Sequence, residues 1–272
     1  MIPGGADAWL LLATLSVTMA VYARGWLMLS RRMPRRFGVG RLAAFLGGLA
    51  VIVVALVSPL DELAERLLSA HMVQHQLLMM VAPPLLWLGA PIAPTLRGLP
   101  RRIRRLAAAA LASRPLRAAA RVIAHPAFGW ISFALAFWIW HTAPLYQLAL
   151  RSHAWHHVEH ACFVATAMLF WRPVIQAWPD RAAWPRWTMI PYVLLADVQN
   201  TILAAILTFS DRLVYPAYAS VTAGSLSALD DQALAGVIMW VPGSLAFLVA
   251  AVWLAMGLLS GSRTVRVMAP AP

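Results

Sequence analysis

Seven long apolar runs, separated by short gaps rich in arginine, constrain this chain more than any other feature. Each run is about the length that crosses a lipid bilayer as helix, roughly 20 residues. A helix satisfies its own backbone hydrogen bonds in lipid, and the alternating pattern of a membrane barrel is absent. Hydrophobic residues make up 61% of the chain and charged ones 12%. A soluble domain carries about 25% charged residues, so this sequence lacks the polar exterior that a soluble fold needs. The expected fold is all-α, a single integral membrane bundle of seven transmembrane helices. The expected spans run from about Ala8 to Leu29, Leu42 to Leu60, Ala70 to Ile92, Pro126 to Pro144, Trp155 to Ala177, Trp187 to Phe209 and Gln232 to Leu259.

The net charge of +12 follows from topology and not from nucleic-acid binding. All 22 basic residues are arginine, and they sit between the runs without alternating with exposed aromatics. The start of the chain has no basic region before its first apolar run, which argues for a first span with its N-terminus outside and against a cleaved leader. With that orientation, eighteen arginines fall in inner gaps and the tail, while only Arg66, Arg151 and Arg212 fall outside and Arg24 lies within span one. The positive-inside rule then predicts a cytoplasmic C-terminus. The gap from Arg97 to Arg121 is the most basic and predicts an alanine-rich helix on the inner surface. Cys162 stands alone inside an apolar run and can form no disulfide within the chain.

In this topology seven of the eight histidines reach the outer face. His71 and His75 open span three, His141 closes span four, and His153, His156, His157 and His160 open span five; His125 alone is inner. Residues four apart share a helix face about 6 Å apart. His71/His75, His156/His160 and His153/His157 are such pairs, and two pairs on packed helices can offer four nitrogens to one metal. Imidazole suits copper, zinc, iron and nickel. Glu159 and the acidic gap from Asp61 to Glu65 are candidates to orient the rings from outside the ligand set. Met72, Met79 and Met80 are candidate thioether ligands, weighed against ordinary apolar filling. Asp197, with Gln199 and Asn200, lies mid-span, where an acid is costly; function and a buried hydrogen bond compete, with Arg24 as one partner. Pro83 and Pro84 must disturb span three. Asp230, Asp231 and Gln232 stand at the start of span seven, where capping alone could explain the acids.

Four stretches resemble one family. HMVQHQLLMMVAPPLLWLGAP (His71 to Pro91), WHTAPLYQLAL (Trp140 to Leu150), WHHVEHACFVATAMLFWRPVI (Trp155 to Ile175) and DDQALAGVIMWVPG (Asp230 to Gly243) are similar to the multi-span CtaG family of cytochrome c oxidase assembly factors. Spans one and two match only in hydropathy. The resemblance implies a non-enzymatic protein of the bacterial inner membrane. It implies copper as the ion handled, subunits of a haem-copper oxidase as partners, and a periplasmic copper chaperone as a further partner. The residues it carries over are His71, His75, His141, His156 and His160, with Asp231 and Gln232; His153 and His157 lie outside the pattern.

Three other readings compete. HMVQH and HAWHH look like the histidine boxes of membrane di-iron desaturases and hydroxylases, but a third box is missing and these face outward. Histidines on facing helices could ligate haem b. A copper transporter needs a pathway that continues inward, for which Asp197 is the one candidate. A retinal protein is excluded, because the chain has no lysine for a Schiff base.

Overall fold

A computed structural model describes residues 5–180, 184–219 and 226–267, the last seven by backbone only. Arg181, residues 1–4 and part of the long gap before span seven lie outside the described residues, as do the side chains of Arg263 and Arg266. The described residues are helical, with no strand among them beyond an isolated bridge at Leu226. Five helices are long and apolar enough to cross a membrane, or up to seven if each of two bent pairs counts as one span.

The first two helices, α1 (Ala6–Arg32) and α2 (Val39–Val57), are simple apolar rods. The acidic gap after them is a short helix, α3 (Pro59–Arg66). Ser58 starts it: its hydroxyl accepts from Leu60 N at 3.1 Å and Pro59 presets the first turn.

The third apolar run is broken in two places. It begins as α4 (Leu68–Gln76), widens into a π-helical turn (Leu77–Val81) and resumes as α5 (Ala82–Leu88). The cause is Pro83. It lacks the N–H that would bond to the Met79 carbonyl four residues back. Trp171 Nε1 supplies the missing donor at 2.9 Å from that oxygen, so the break is satisfied by a neighbouring helix. After α5 the chain bends by 67° into α6 (Ile92–Gly98). Ala90 takes a left-handed φ of 49° at that corner, and Tyr22 donates to Gly89 O at 2.7 Å to hold it. α6 then lies against α1 with almost no gap. A Cβ on Gly98 would stand 1.8 Å from Val21 O, and one on Gly25 1.8 Å from Pro94 O. Only glycine permits that approach.

The most basic gap forms two helices, α7 (Arg101–Ala112) and α8 (Arg114–Ile123), neither with a buried residue. α8 bends by 64° into α9 (Pro126–Trp140), capped by the His125 ring, which accepts from Ala127 N at 3.2 Å. A short α10 (Ala143–Arg151) leads to α11 (His153–Ile175). The last spans are α12 (Met189–Phe209) and α13 (Ala228–Val267), packed along their length. Their polar residues face each other: Asn200 donates to Met239 O at 3.0 Å, and Ser244 Oγ donates to Asp197 at 2.6 Å. The outward face of α12 is apolar, with Leu195, Val198, Ile202 and Ile206 exposed, as lipid contact requires. The core lies where the π turn, α9, α11 and α13 meet, around Phe133, Phe163, Phe170, Trp171 and Phe247.

Candidate metal centre

Three helices bring five imidazoles to one point. α4 contributes His71 and His75, α11 contributes His156 and His160, and His141 ends α9. All five are buried, at 0% to 7% exposure. The centroids of His71 and His75 are 4.3 Å apart, those of His156 and His160 4.2 Å, and His71 lies 5.3 Å from His156 across the helix pair. His75 lies 5.6 Å from His141 and 5.8 Å from His160.

The fully buried Glu159 carboxylate stands among the rings instead of behind them. Its Oε2 is 3.9 Å from His71 Nε2 and its Oε1 is 3.8 Å from His75 Nε2. Ligand atoms of His71, His156, Glu159 and His160 all lie within 4.8 Å of one another. A tetrahedral ion with bonds of about 2.1 Å would draw such atoms to about 3.4 Å, a small contraction. Among the described residues, the Nε2 atoms of all five histidines and both Glu159 oxygens have no hydrogen-bond partner. Buried polar atoms are normally paired, so this convergence of orphaned donor atoms is what a metal ion would resolve. The residues therefore fit a bound metal on their own chemistry.

The surroundings set the ring tautomers. His141 Nδ1 is 2.7 Å from Phe137 O, a carbonyl that can only accept, so the proton sits on Nδ1 and Nε2 keeps its lone pair. His71 Nδ1 lies 3.3 Å from Tyr218 OH, and that hydroxyl donates to Ala64 O at 2.9 Å, so its oxygen is left to accept from the ring. Tyr215 OH donates to His141 O at 2.8 Å and stacks on Tyr146, which lies 5.1 Å from His71. Burial pushes the phenols of Tyr146, Tyr215 and Tyr218 up, so they remain protonated donors. Sequence reasoning passed over these tyrosines. The available signal was that three of the chain's five tyrosines fall in the gaps flanking the histidine-bearing ends.

Asp231 and Gln232 brace the same end. Asp231, 1% exposed, caps α4 and not its own helix: it accepts from Leu68 N at 2.7 Å, from Ser69 N at 3.3 Å and from the Ser69 hydroxyl. Asp230 caps α13 through Ser227. Gln232 accepts from Val214 N at 2.7 Å and donates to Arg212 O at 3.1 Å, fixing the segment that carries Tyr215 and Tyr218. Gln74, between the two α4 histidines, donates to Ala55 O and to Asp61, each at 2.7 Å. Burial pushes the Asp61 carboxyl up, with the Gln74 hydrogen bond opposing it.

The remaining candidates fall elsewhere. His153 and His157 are exposed, and His157 pairs with Asp7 at 3.6 Å. Met72 and Met79 are buried in the apolar core. Asp197 takes Ser244 as its partner, while Arg24 is exposed.

A bundle of apolar helices, several long enough to cross a membrane, with a cluster of histidines and one carboxylate buried at one end, defines a class of multi-pass helical protein. Within it the chain belongs to the family of cytochrome c oxidase caa3 assembly factors, which matches residues 20–260. Curated relatives include uncharacterized proteins of Mycobacterium bovis and Mycobacterium tuberculosis, each 28% identical over 85% of this chain, and one of Mycobacterium leprae at 26% over 84%. The chain spans about a third of the length of these relatives, 36%, 36% and 35%. No solved structure gives a significant match.

Proposed function

We propose that this assembly factor binds copper at the buried histidine–glutamate centre and passes it to a haem-copper oxidase during maturation, as a carrier and not a catalyst. The observation that carries the reading is the set of five buried imidazole Nε2 atoms and one carboxylate, all without partners, converging from three helices. The family supplies the oxidase; imidazole donors are compatible with copper. Counting each bent pair as one crossing, with α8 the surface arm of the second pair, gives seven. The arginine bias then orients the bundle with the start of α1 outside, the end of α13 in the cytoplasm, and the centre at the outer face of the bacterial inner membrane. The basic, unburied α7 and α8 suit a place on the inner surface against anionic lipid. A periplasmic copper chaperone is the matching donor and the oxidase subunits the acceptor.

Metal analysis of the detergent-purified protein tests this, beside a His71→Ala/His75→Ala variant and a control, His153→Ala/His157→Ala, in the exposed pair. Copper should be lost from the first variant and kept in the control. Equal copper in all three refutes the site.

Iron is a second reading, favoured by the Glu159 carboxylate among the rings, since carboxylate with imidazole is the donor set of non-haem iron. The same metal analysis separates the two. Haem is disfavoured by crowding: neighbouring rings 4.2–5.8 Å apart leave no slab for a macrocycle between them.

A further inference from the structure

We propose that the centre holds two metal ions bridged by Glu159, one bound by His71, His156 and His160, the other by His75 and His141. The proposal rests on the metal-binding reading above and adds a second ion to it.

The donor atoms divide into two groups. His71, His156, His160 and Glu159 bring ligand atoms within 4.8 Å of one another, enough for one four-coordinate ion. His75 lies outside that foursome, yet it is 2% exposed and neither of its ring nitrogens has a partner among the described residues. A single ion among the four would leave both nitrogens orphaned in a buried site, which folded proteins avoid. His75 has a companion in the same condition. His141 Nε2 is also buried and unpartnered, its lone pair exposed by the Nδ1 hydrogen bond to Phe137 O, and the two rings are 5.6 Å apart.

Glu159 joins the two groups. One carboxylate oxygen faces His71 and the other faces His75, at 3.9 Å and 3.8 Å. An ion bonded at about 2.1 Å to each member of such a nitrogen–oxygen pair sits between them at an angle of about 130°, within the range that four-coordinate and three-coordinate sites adopt. Both pairs have this spacing, and they share one carboxylate. Paired ions held about 3.5–4 Å apart by shared ligands are a recurrent arrangement. The two positions differ in completeness. The first has four protein ligands and is closed. The second has three and keeps an open position, as a site that exchanges a ligand must. The ion at His75 and His141 is therefore the one available for transfer.

The test uses the full chain in detergent, loaded anaerobically with cuprous ion, freed of loose metal on a desalting column, and assayed for copper per chain. Two coppers per chain are expected. His75→Gln/His141→Gln should retain one, and so should Glu159→Gln. One copper per chain in the wild-type protein overturns the bridge and leaves the single-ion reading standing; none overturns both. A second readout needs no variant. With cupric ion bound, a carboxylate-bridged pair couples magnetically, so the integrated electron-spin signal should fall well below the copper content. A full spin count on two coppers overturns the bridge.

Discussion

Replacing Asp231 with alanine tests whether the centre depends on a brace 160 residues away in sequence. Its carboxylate caps α4 from another helix, accepting from the Leu68 and Ser69 amides and from the Ser69 hydroxyl. Loss of a cap costs about 0.5–2 kcal/mol, and each buried donor left without an acceptor costs about 1–3 kcal/mol. The Ser69 hydroxyl can turn to another partner, so the two amides dominate, and a total of about 3 kcal/mol follows. His71 lies two residues beyond Ser69 on the helix that frays, so this penalty is met again whenever metal binding demands an ordered α4. About 3 kcal/mol is roughly a hundredfold in affinity. The assay is competition for cuprous ion against a chelator of known strength, with Asp231→Ala, Asp231→Asn and Asp230→Ala compared. Asn keeps one acceptor and should fall between the wild type and Ala. Asp230 is exposed and caps only α13 through Ser227, so its loss should leave copper affinity unchanged. Wild-type affinity in Asp231→Ala, or equal damage from Asp230→Ala, would refute the reasoning.

Copper occupancy should be full at neutral pH and decline in the acid range, because protons compete with metal for imidazole nitrogen; metal analysis after equilibration at each pH checks this, and occupancy that does not fall at all with acid speaks for donors other than imidazole. Asp61 titrates with the opposite sign for stability. Burial raises its folded-state pKa above the unfolded value, so its ionised form is a liability at neutral pH that disappears as the pH falls below the raised value. Asp61→Asn, which keeps an acceptor for Gln74, should therefore raise the melting temperature at pH 7, with the gain shrinking towards pH 4. Gly98→Ala places a methyl group against Val21 O, where backbone and not a side chain must yield; overpacking costs typically about 1–3 kcal/mol and here should exceed that range, visible as loss of the monodisperse peak in detergent gel filtration. Trp171→Phe leaves the Met79 carbonyl without its donor and also removes the second ring of the indole from a buried position, so in thermal stability it should cost at least the penalty of an unsatisfied buried group, about 1–3 kcal/mol.

How much of this was legible in the sequence depends on whether the determining contact is local. The apolar runs, the two i,i+4 histidine pairs and the proline break are local facts, and the structure contains each of them. The choice between His156/His160 and His153/His157 was not local. Both pairs sit at helical spacing on α11, and both faces continue as apolar residues. Packing decides it: the face through His156, His160, Phe163, Ala167, Phe170 and Val174 turns inward, and the other reaches Asp7. Glu159 lies three residues from His156 and one from His160, so its place on the inward face follows once the pair is chosen; before that choice it reads as support and not as ligand. Asp231 illustrates the deeper limit. An acid at the first turn of a helix has a sufficient local explanation as a cap, and Asp230 beside it acts in that way. Nothing local reveals that Asp231 caps a different helix, because α13 packs against α4 only in the folded bundle. The tyrosines depend on the same event, since Gln232, the next residue, pins the segment that brings Tyr215 and Tyr218 over the rings. One turn of α13 thus orders both the helix beneath the centre and the cover above it. This is why the stretch DDQALAGVIMWVPG belongs with the histidine stretches, although it contains no donor atom in the metal group.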